Sequence, residues 1–198
     1  MSCETLFSEY PCLISNRLTL KKIEESDIED LFSIYSNENV FKLRPGKAKK
    51  NIDTVKNMIG HFERDFNKKK MIFLGIYQNF ANKKLVGIAE IFDINKKVNS
   101  LTIGYTLNEK FWGEGYATES TKLIVSFLFN KIKINRIQAF VMPQNVKSKK
   151  VLIRNNFLLE GTLRSSEFWL GKGVVDLEVY SILKSDFTNN EKRSRTIE

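Results

Sequence analysis

Histidine is nearly missing from this chain: of 198 residues, only His61 is one. A histidine-rich zinc site is therefore excluded, and a Ser-His-Asp arrangement would have one residue to draw on. His61 itself reads as a helix surface residue. Cysteine is almost as scarce, with Cys3 and Cys12 both close to the N-terminus. Two thiols cannot form a four-cysteine zinc site or a disulfide framework. Both are read as free thiols without a catalytic role, in a reducing, cytoplasmic setting, and no metal is expected. No apolar run reaches the length of a membrane-spanning helix, so no membrane partner is expected. The opening MSCETLFSEYPC carries acids and no apolar stretch, so it does not read as a signal peptide. Repeats, low-complexity tracts and an inter-domain linker are also absent from the sequence.

What the chain has is bulk and positive charge. Hydrophobic residues make up 42% and aromatic residues 12%, with 15 Phe, enough to fill a sizeable core. That balance excludes a disordered chain. Thirty-two Lys plus Arg against 23 Asp plus Glu give +9. By itself the charge fits nucleic acid, a ribosome, an acidic substrate, a phosphorylated cofactor or plain solubility.

Residues 1–15 read as an arm or a short extra element, 16–185 as one domain, and 186–198 as a polar tail that frays. A strand is expected over Arg17–Lys22. Ser26 and Asp27 offer N-cap chemistry for a helix to Ser36, and Asp53 for a second helix to Phe66. Between the two helices, residues 42–50 hold five basic residues and Pro45-Gly46, the signature of a loop. Strands follow over Met71–Tyr77, Leu85–Ile94 and Val98–Leu107. In the last of these, Leu101, Ile103, Tyr105 and Leu107 face one way, which makes Tyr105 a core residue. Helical spacing resumes from Ala117 to Asn130. Then come a strand at Arg136–Met142, a helix at Val146–Asn155, and strands at Phe157–Leu163 and Val174–Leu183. The order is that of an α/β chain with a mixed sheet and helices on both faces.

The most informative stretch is Lys110-Phe111-Trp112-Gly113-Glu114-Gly115-Tyr116-Ala117. A strand ends, a Gly-x-Gly turn follows, and a helix begins. Glycines let the backbone turn and let a ligand approach the amides, while the helix start offers unpaired N–H groups and partial positive charge. The combination suits a pyrophosphate. It equally suits an ordinary strand-to-helix turn. No Gly-Lys-Ser/Thr closes a Walker loop, and the motif follows a meander instead of opening a βαβ unit, which disfavours a dinucleotide fingerprint.

These residues resemble the acetyl-CoA motif Gln/Arg-x-x-Gly-x-Gly/Ala of the GNAT N-acetyltransferases, in particular the ribosomal-protein alanine/serine N-acetyltransferases of the RimJ/RimL type. Lys110 replaces the usual Gln or Arg. Asn145-Val146-Lys147-Ser148 resembles the family's Asn-x-x-Ser segment. Asn156-Phe157-Leu158-Leu159-Glu160-Gly161 resembles its Gly-Phe-x-x-Glu-Gly ending, with Asn156 in place of glycine. Arg17-Leu18-Thr19-Leu20 and Asp176–Leu183 match the opening and closing strands, so the likeness covers about residues 16–185.

The resemblance implies the GNAT acyl-CoA N-acyltransferase fold: a splayed, mostly antiparallel central sheet with helices on both faces. It implies acetyl-CoA as co-substrate. Its pantetheine arm would pair near Thr106 and Leu107, and its pyrophosphate would meet the amides of Trp112, Gly113, Glu114, Gly115, Tyr116 and Ala117. Lys110 would stand near the phosphates. Asn145 would bond the pantetheine, and Lys147, Lys149, Lys150 and Arg154 would reach for the 3′-phosphate or simply form a solvated helix face. It implies Glu167 as the general base, otherwise a surface glutamate of a hairpin, and Ser148 near the thioester sulfur as proton donor to the departing thiolate, otherwise a helix-start residue bonding backbone. Glu90 is the runner-up base, because strand alternation would aim it into the cleft or at water. The acceptor would be a protein N-terminal α-amine, with the ribosome as a partner and a monomer or homodimer as the working unit. The rivals are a polyamine or aminoglycoside acetyltransferase and a non-catalytic acyl-CoA-binding or RNA-binding module, the latter supported by Phe41 beside the basic 42–50 segment. Lys42, Arg44, Lys47, Lys49 and Lys50 remain for an acidic acceptor, a ribosome or solubility.

Overall fold

A computed structural model describes residues 5–80 and 83–195. Cys3 lies outside the described residues, and Cys12 is an exposed free thiol. The frame is one eight-stranded sheet. Its strands are β1 (Leu13–Ile14), β2 (Leu18–Lys21), β3 (Ile72–Gln78), β4 (Leu85–Asn95), β5 (Ser100–Leu107), β6 (Arg136–Val141), β7 (Leu158–Trp169) and β8 (Gly173–Leu183). They lie in the order β1-β2-β3-β4-β5-β6-β8-β7. Every pairing is antiparallel except β5 with β6.

Two cores explain why β3 and β4 read as almost unbroken apolar runs: both faces are covered. In β3, Ile72, Leu74 and Ile76 pack beneath α4 (Tyr116–Phe127), whose Ile124 and Val125 belong to the same cluster. Phe73 and Tyr77 face the other way, toward α1 (Ile28–Tyr35) and α3 (Ile52–Asn67) with Leu31, Ile34, Val55 and Phe62. The short α2 (Glu38–Phe41) adds Val40 and Phe41 to that second core. α5 (Val146–Arg154) contributes Leu152 to the first.

Several local details differ from expectation. Asn51, not Asp53, caps α3, its side-chain oxygen accepting from the Asp53 amide at 2.8 Å. Asp27 accepts from the Glu24 amide in a single 3-10 turn ahead of α1. The N-terminal stretch is anchored, with Leu6 and Phe7 buried in the first core and β1 paired to β2. The polar C-terminal segment forms α6 (Lys184–Arg195), whose Phe187 ring lies 5.0 Å from that of Phe129. β7 runs to Trp169, well past the expected Leu163. It is an exposed edge strand, so it lacks the buried alternation that marks a strand in sequence. His61 is exposed on α3.

At the end of the sheet where β5 meets β6, Glu160 of β7 takes a bidentate grip from Arg136 of β6 at 2.5 and 2.7 Å. It also accepts from Ser181 of β8 at 2.7 Å, so one carboxylate joins three strands. The Arg136 guanidinium, helped by Ser181, holds its carboxyl down at about 2. A carboxyl with a depressed folded-state value stabilises the fold above its unfolded value and loses that contribution as pH falls through the folded one. Half-exposure keeps the effect modest. Urea melts of Glu160→Gln and the unaltered protein should therefore differ at neutral pH and converge as pH falls from about 4.5 to about 2.

Candidate active site

β5 and β6 pair over only three positions, Ser100 with Arg136, Leu101 with Ile137 and Thr102 with Gln138. From Ile103 onward β5 stays bonded to β4, and from Ala139 onward β6 stays bonded to β8. The two strands part, and the edges facing each other carry no sheet partner. Buried backbone groups need partners, so such a wedge suits an extended ligand able to bond as a strand does.

A cavity of about 830 Å³ runs through the wedge. It is lined from both faces of the sheet: Tyr35, Phe41, Arg44 and Glu90 on the α1–α3 side, and Tyr105, Ser148 and Leu152 on the α4–α5 side. Glu167 and Trp169 of β7 line it as well.

Glu90 is directed into this space by β4. A glycine opposite it makes the room, since a Cβ on Gly104 would sit 3.2 Å from Glu90 Oε2. The Glu90 side chain is 16% exposed and stands 3.4 Å from Arg44 Nη2. The Arg44 guanidinium lies 5.1 Å from the Phe41 ring centre and 5.7 Å from that of Tyr35. Arg44 therefore leaves the general pool of surface cations, where composition alone had put it. It is a cavity residue held by two rings and a carboxylate.

Glu167 reaches the cavity by another device. Between Leu163 and Glu167 β7 advances four residues while its partner advances only from Leu177 to Val175. The bulge carries Ser165 at φ 46°, its amide bonded to Asp176 at 2.7 Å. Bulges of this kind re-aim the side chains that follow them. Glu167 is exposed at the cavity rim.

On the opposite side, the Tyr105 hydroxyl donates to Ser148 Oγ at 3.3 Å. Ser148 opens α5, and its amide donates to the capping side chain of Asn145 at 3.2 Å. Burial pushes the Tyr105 phenol up, against a smaller opposing effect of Ser148, so it stays protonated. Tyr105 was expected in the core from its alternation. Its ring packs there, but its hydroxyl ends in the cavity beside Ser148.

At the far end of β5 lies the glycine turn. Gly113 and Gly115 have φ of 87° and 82°, the left-handed region that glycine adopts without penalty. Gly115 is the N-cap of α4 and offers no side chain, so the amides of Tyr116, Ala117 and Thr118 precede the first helical bond, Glu119 N–H to the Gly115 carbonyl. Gly113, Glu114 and Gly115 are exposed. These amides form a cradle that fits a pyrophosphate.

Two of the expected ligating groups are engaged elsewhere. The Trp112 amide donates to the Glu109 carbonyl at 3.1 Å, while its indole N–H donates to the Leu107 carbonyl at 3.1 Å. Lys149 pairs with Glu178 at 3.1 Å in place of an open phosphate site. Thr106 is buried at the end of β5. Lys110 is exposed, and Lys147 lies 4.9 Å from the centre of the Trp112 ring. No group of three side chains able to hold a metal occurs among the described residues. No described helix is long and apolar enough to cross a membrane.

Comparison with known proteins agrees with this geometry. The model of the acetyltransferase (GNAT) domain matches residues 17–158. An uncharacterized N-acetyltransferase of Bacillus subtilis (strain 168), YoaA, is 30% identical over 88% of this chain and 98% of its own length. The ribosomal-protein-serine acetyltransferase of Escherichia coli (strain K12) is 23% identical over 85% of this chain and 93% of its own. The spermidine N(1)-acetyltransferase of Vibrio cholerae is 20% identical over 90% and 100%. Among solved structures, the microcin C7 self immunity acetyltransferase MccE in complex with acetyl-CoA and AMP superposes with a TM-score of 0.77. It is 25% identical, covering 85% of this chain and 93% of its own. The chain belongs to the GNAT acetyltransferase family. It is an N-acetyltransferase that uses acetyl-CoA to acetylate an amine.

Gly115→Val tests the cradle. Valine would force a left-handed φ on a β-branched residue and place its Cβ 3.4 Å from Arg17 Nη2. Calorimetry should find acetyl-CoA binding lost while thermal unfolding stays cooperative. Ser148→Ala should lower kcat by about a hundredfold with acetyl-CoA affinity unchanged, and Tyr105→Phe should lower it less, both read by thiol release.

Proposed function

We propose that the acceptor is the free α-amine of a protein or peptide N-terminus, as in a ribosomal-protein-type N-acetyltransferase of the cytoplasm. The observation that carries this reading is the Glu90–Arg44 pair inside an aromatic-walled cavity. An N-terminal residue presents an amine and a carbonyl oxygen three bonds apart. A carboxylate and a guanidinium 3.4 Å apart complement those two groups together. Phe62, Phe73 and Met58 supply an apolar wall for the first side chain. A polyamine has an amine but no carbonyl to meet Arg44. With Glu90, Asp93 and Glu167 set against Arg44 and Lys49, the cavity does not repel a cation as such, and the unmet guanidinium is what separates the two acceptors. The match of opposite charge to opposite group therefore favours the peptide.

The chemistry follows from these side chains. Acetyl-CoA supplies the acetyl thioester. An α-amine, with a pKa of about 7.7–8.0, needs far less help to become neutral than a lysine at about 10.4. Glu167 takes its proton directly or through one water as the N–C bond forms. Glu90 and Arg44 orient the acceptor. Ser148, held by the Tyr105 hydroxyl, would give a proton to the sulfur as the C–S bond breaks, and the proton that Glu167 took from the amine returns to Ser148 through solvent, leaving Tyr105 protonated throughout. Asn145 fixes Ser148 by capping α5, and the unpaired edges of β5 and β6 hold the pantetheine. No acetyl-enzyme is needed. The working unit is a monomer or homodimer, and the ribosome is a partner in so far as its proteins are acceptors.

A thiol-release screen against N-terminal peptides, spermidine and simple alkylamines tests this. Peptides with a free α-amine should react with a KM at least tenfold below that of amines lacking a neighbouring carbonyl. Glu90→Gln should raise the acceptor KM, whereas Glu167→Gln should lower kcat. Equal or better turnover of spermidine would overturn the α-amine reading.

A further inference from the structure

The first turn of α4 holds a conflict. Its unpaired amides favour an anion, yet Glu119 in the same turn brings a carboxylate close beside them, bonded to the Arg17 guanidinium that itself lies 3.4 Å from a Cβ built on Gly115. Arg17, which precedes β2 in space next to this turn, resolves it. Its Nε donates to Glu119 Oε2 at 2.7 Å, and its Nη2 lies 2.5 Å from the same oxygen. Its Nη1 donates to the Glu114 carbonyl at 3.1 Å, inside the glycine turn. Its guanidinium lies 5.0 Å from the centre of the Tyr116 ring. Ser15 adds a hydrogen bond to Glu119 Oε1 at 2.6 Å, and Gln78 donates to the Tyr116 hydroxyl at 2.6 Å. Partial burial pushes the Glu119 carboxyl up, but Ser15 and Arg17 more than offset this and hold it below its ordinary value.

We infer that Arg17 is a positioning residue for acetyl-CoA, which neutralises Glu119 and pins the Glu114 carbonyl so that the Gly113–Thr118 amides present an uncompensated positive field to the pyrophosphate. Glu119 is the anchor for Arg17, and Arg17 is the screen for Glu119. Remove the arginine alone, and a bare carboxylate faces a polyanionic ligand. Remove both charges, and the repulsion disappears. The inference rests on the Gly113–Thr118 turn being the pyrophosphate cradle. Normal acetyl-CoA binding by Gly115→Val would remove that assignment, whereas the charge variants below test the arginine within it.

The experiment is calorimetric titration of the full chain with acetyl-CoA. Arg17→Gln should weaken binding by about tenfold at low salt. The loss should shrink as ionic strength rises from about 0.05 to about 0.5 M, because repulsion is screened. Arg17→Lys should keep most of the affinity. Adding Glu119→Gln to Arg17→Gln should recover most of the loss, and Glu119→Gln alone should bind no more weakly than the unaltered protein. A mechanical strut gives neither recovery nor salt dependence. A double variant as weak as Arg17→Gln would overturn the inference. So would weaker binding by Glu119→Gln alone, which remains readable if Arg17→Gln fails to fold.

Discussion

A strand pair that stops after three residues governs this molecule. β5 and β6 are parallel neighbours only from Ser100 to Thr102 and from Arg136 to Gln138, and beyond that each keeps its other neighbour and releases this one. The interior of a sheet normally leaves no backbone group open. Here two edges stay open, and the sheet becomes permeable from one face to the other. Glu90 and Arg44 lie on the α1–α3 side, and Tyr105 and Ser148 lie on the α4–α5 side. Without the parting, a closed layer of backbone would separate the two groups. The Glu160–Arg136–Ser181 cluster holds the closed end, so the opening has a fixed apex.

Charge in this chain is arranged more by pairing than by excess. A net +9 suggests a uniformly cationic surface. Several of the cations most relevant to the site are instead committed to carboxylates: Arg44 to Glu90, Arg17 to Glu119, Arg136 to Glu160 and Lys149 to Glu178. These pairs are partly buried, where geometry lets an ion pair orient a group even when its net contribution to stability is small.

What was legible in the sequence is what depends on near neighbours. The alternation of Leu101, Ile103 and Leu107 defines β5, and the spacing of Val55, Phe62 and Phe66 defines the inner face of α3. The Gly113–Gly115 turn announces itself because only a few residue types accept its backbone angles. What was hidden depends on residues far apart. Arg44 and Glu90 are separated by 46 positions, and Arg17 and Glu119 by 102. Within a basic stretch nothing distinguishes Arg44 and Lys49, which line the cavity, from Lys42, Lys47 and Lys50, which do not. Alternation puts Tyr105 on the face its ring occupies, but periodicity follows the ring and is blind to the hydroxyl at its tip. The full length of β7 is hidden because an exposed edge strand shows no apolar rhythm, and its two surplus residues before Glu167 leave no compositional mark.

That surplus has a consequence for how such a site can change over generations. β7 is the outermost strand, and β8 alone pairs with it. Insertions or deletions between Leu163 and Glu167 would re-aim Glu167 and Trp169 while leaving the register of the inner strands intact. The glycine turn and α5 sit on elements that tolerate no such slippage. One half of the cavity is thus free to change shape while the strands beneath the other keep their register. A lineage built on this frame can diversify by altering the length of one hairpin arm.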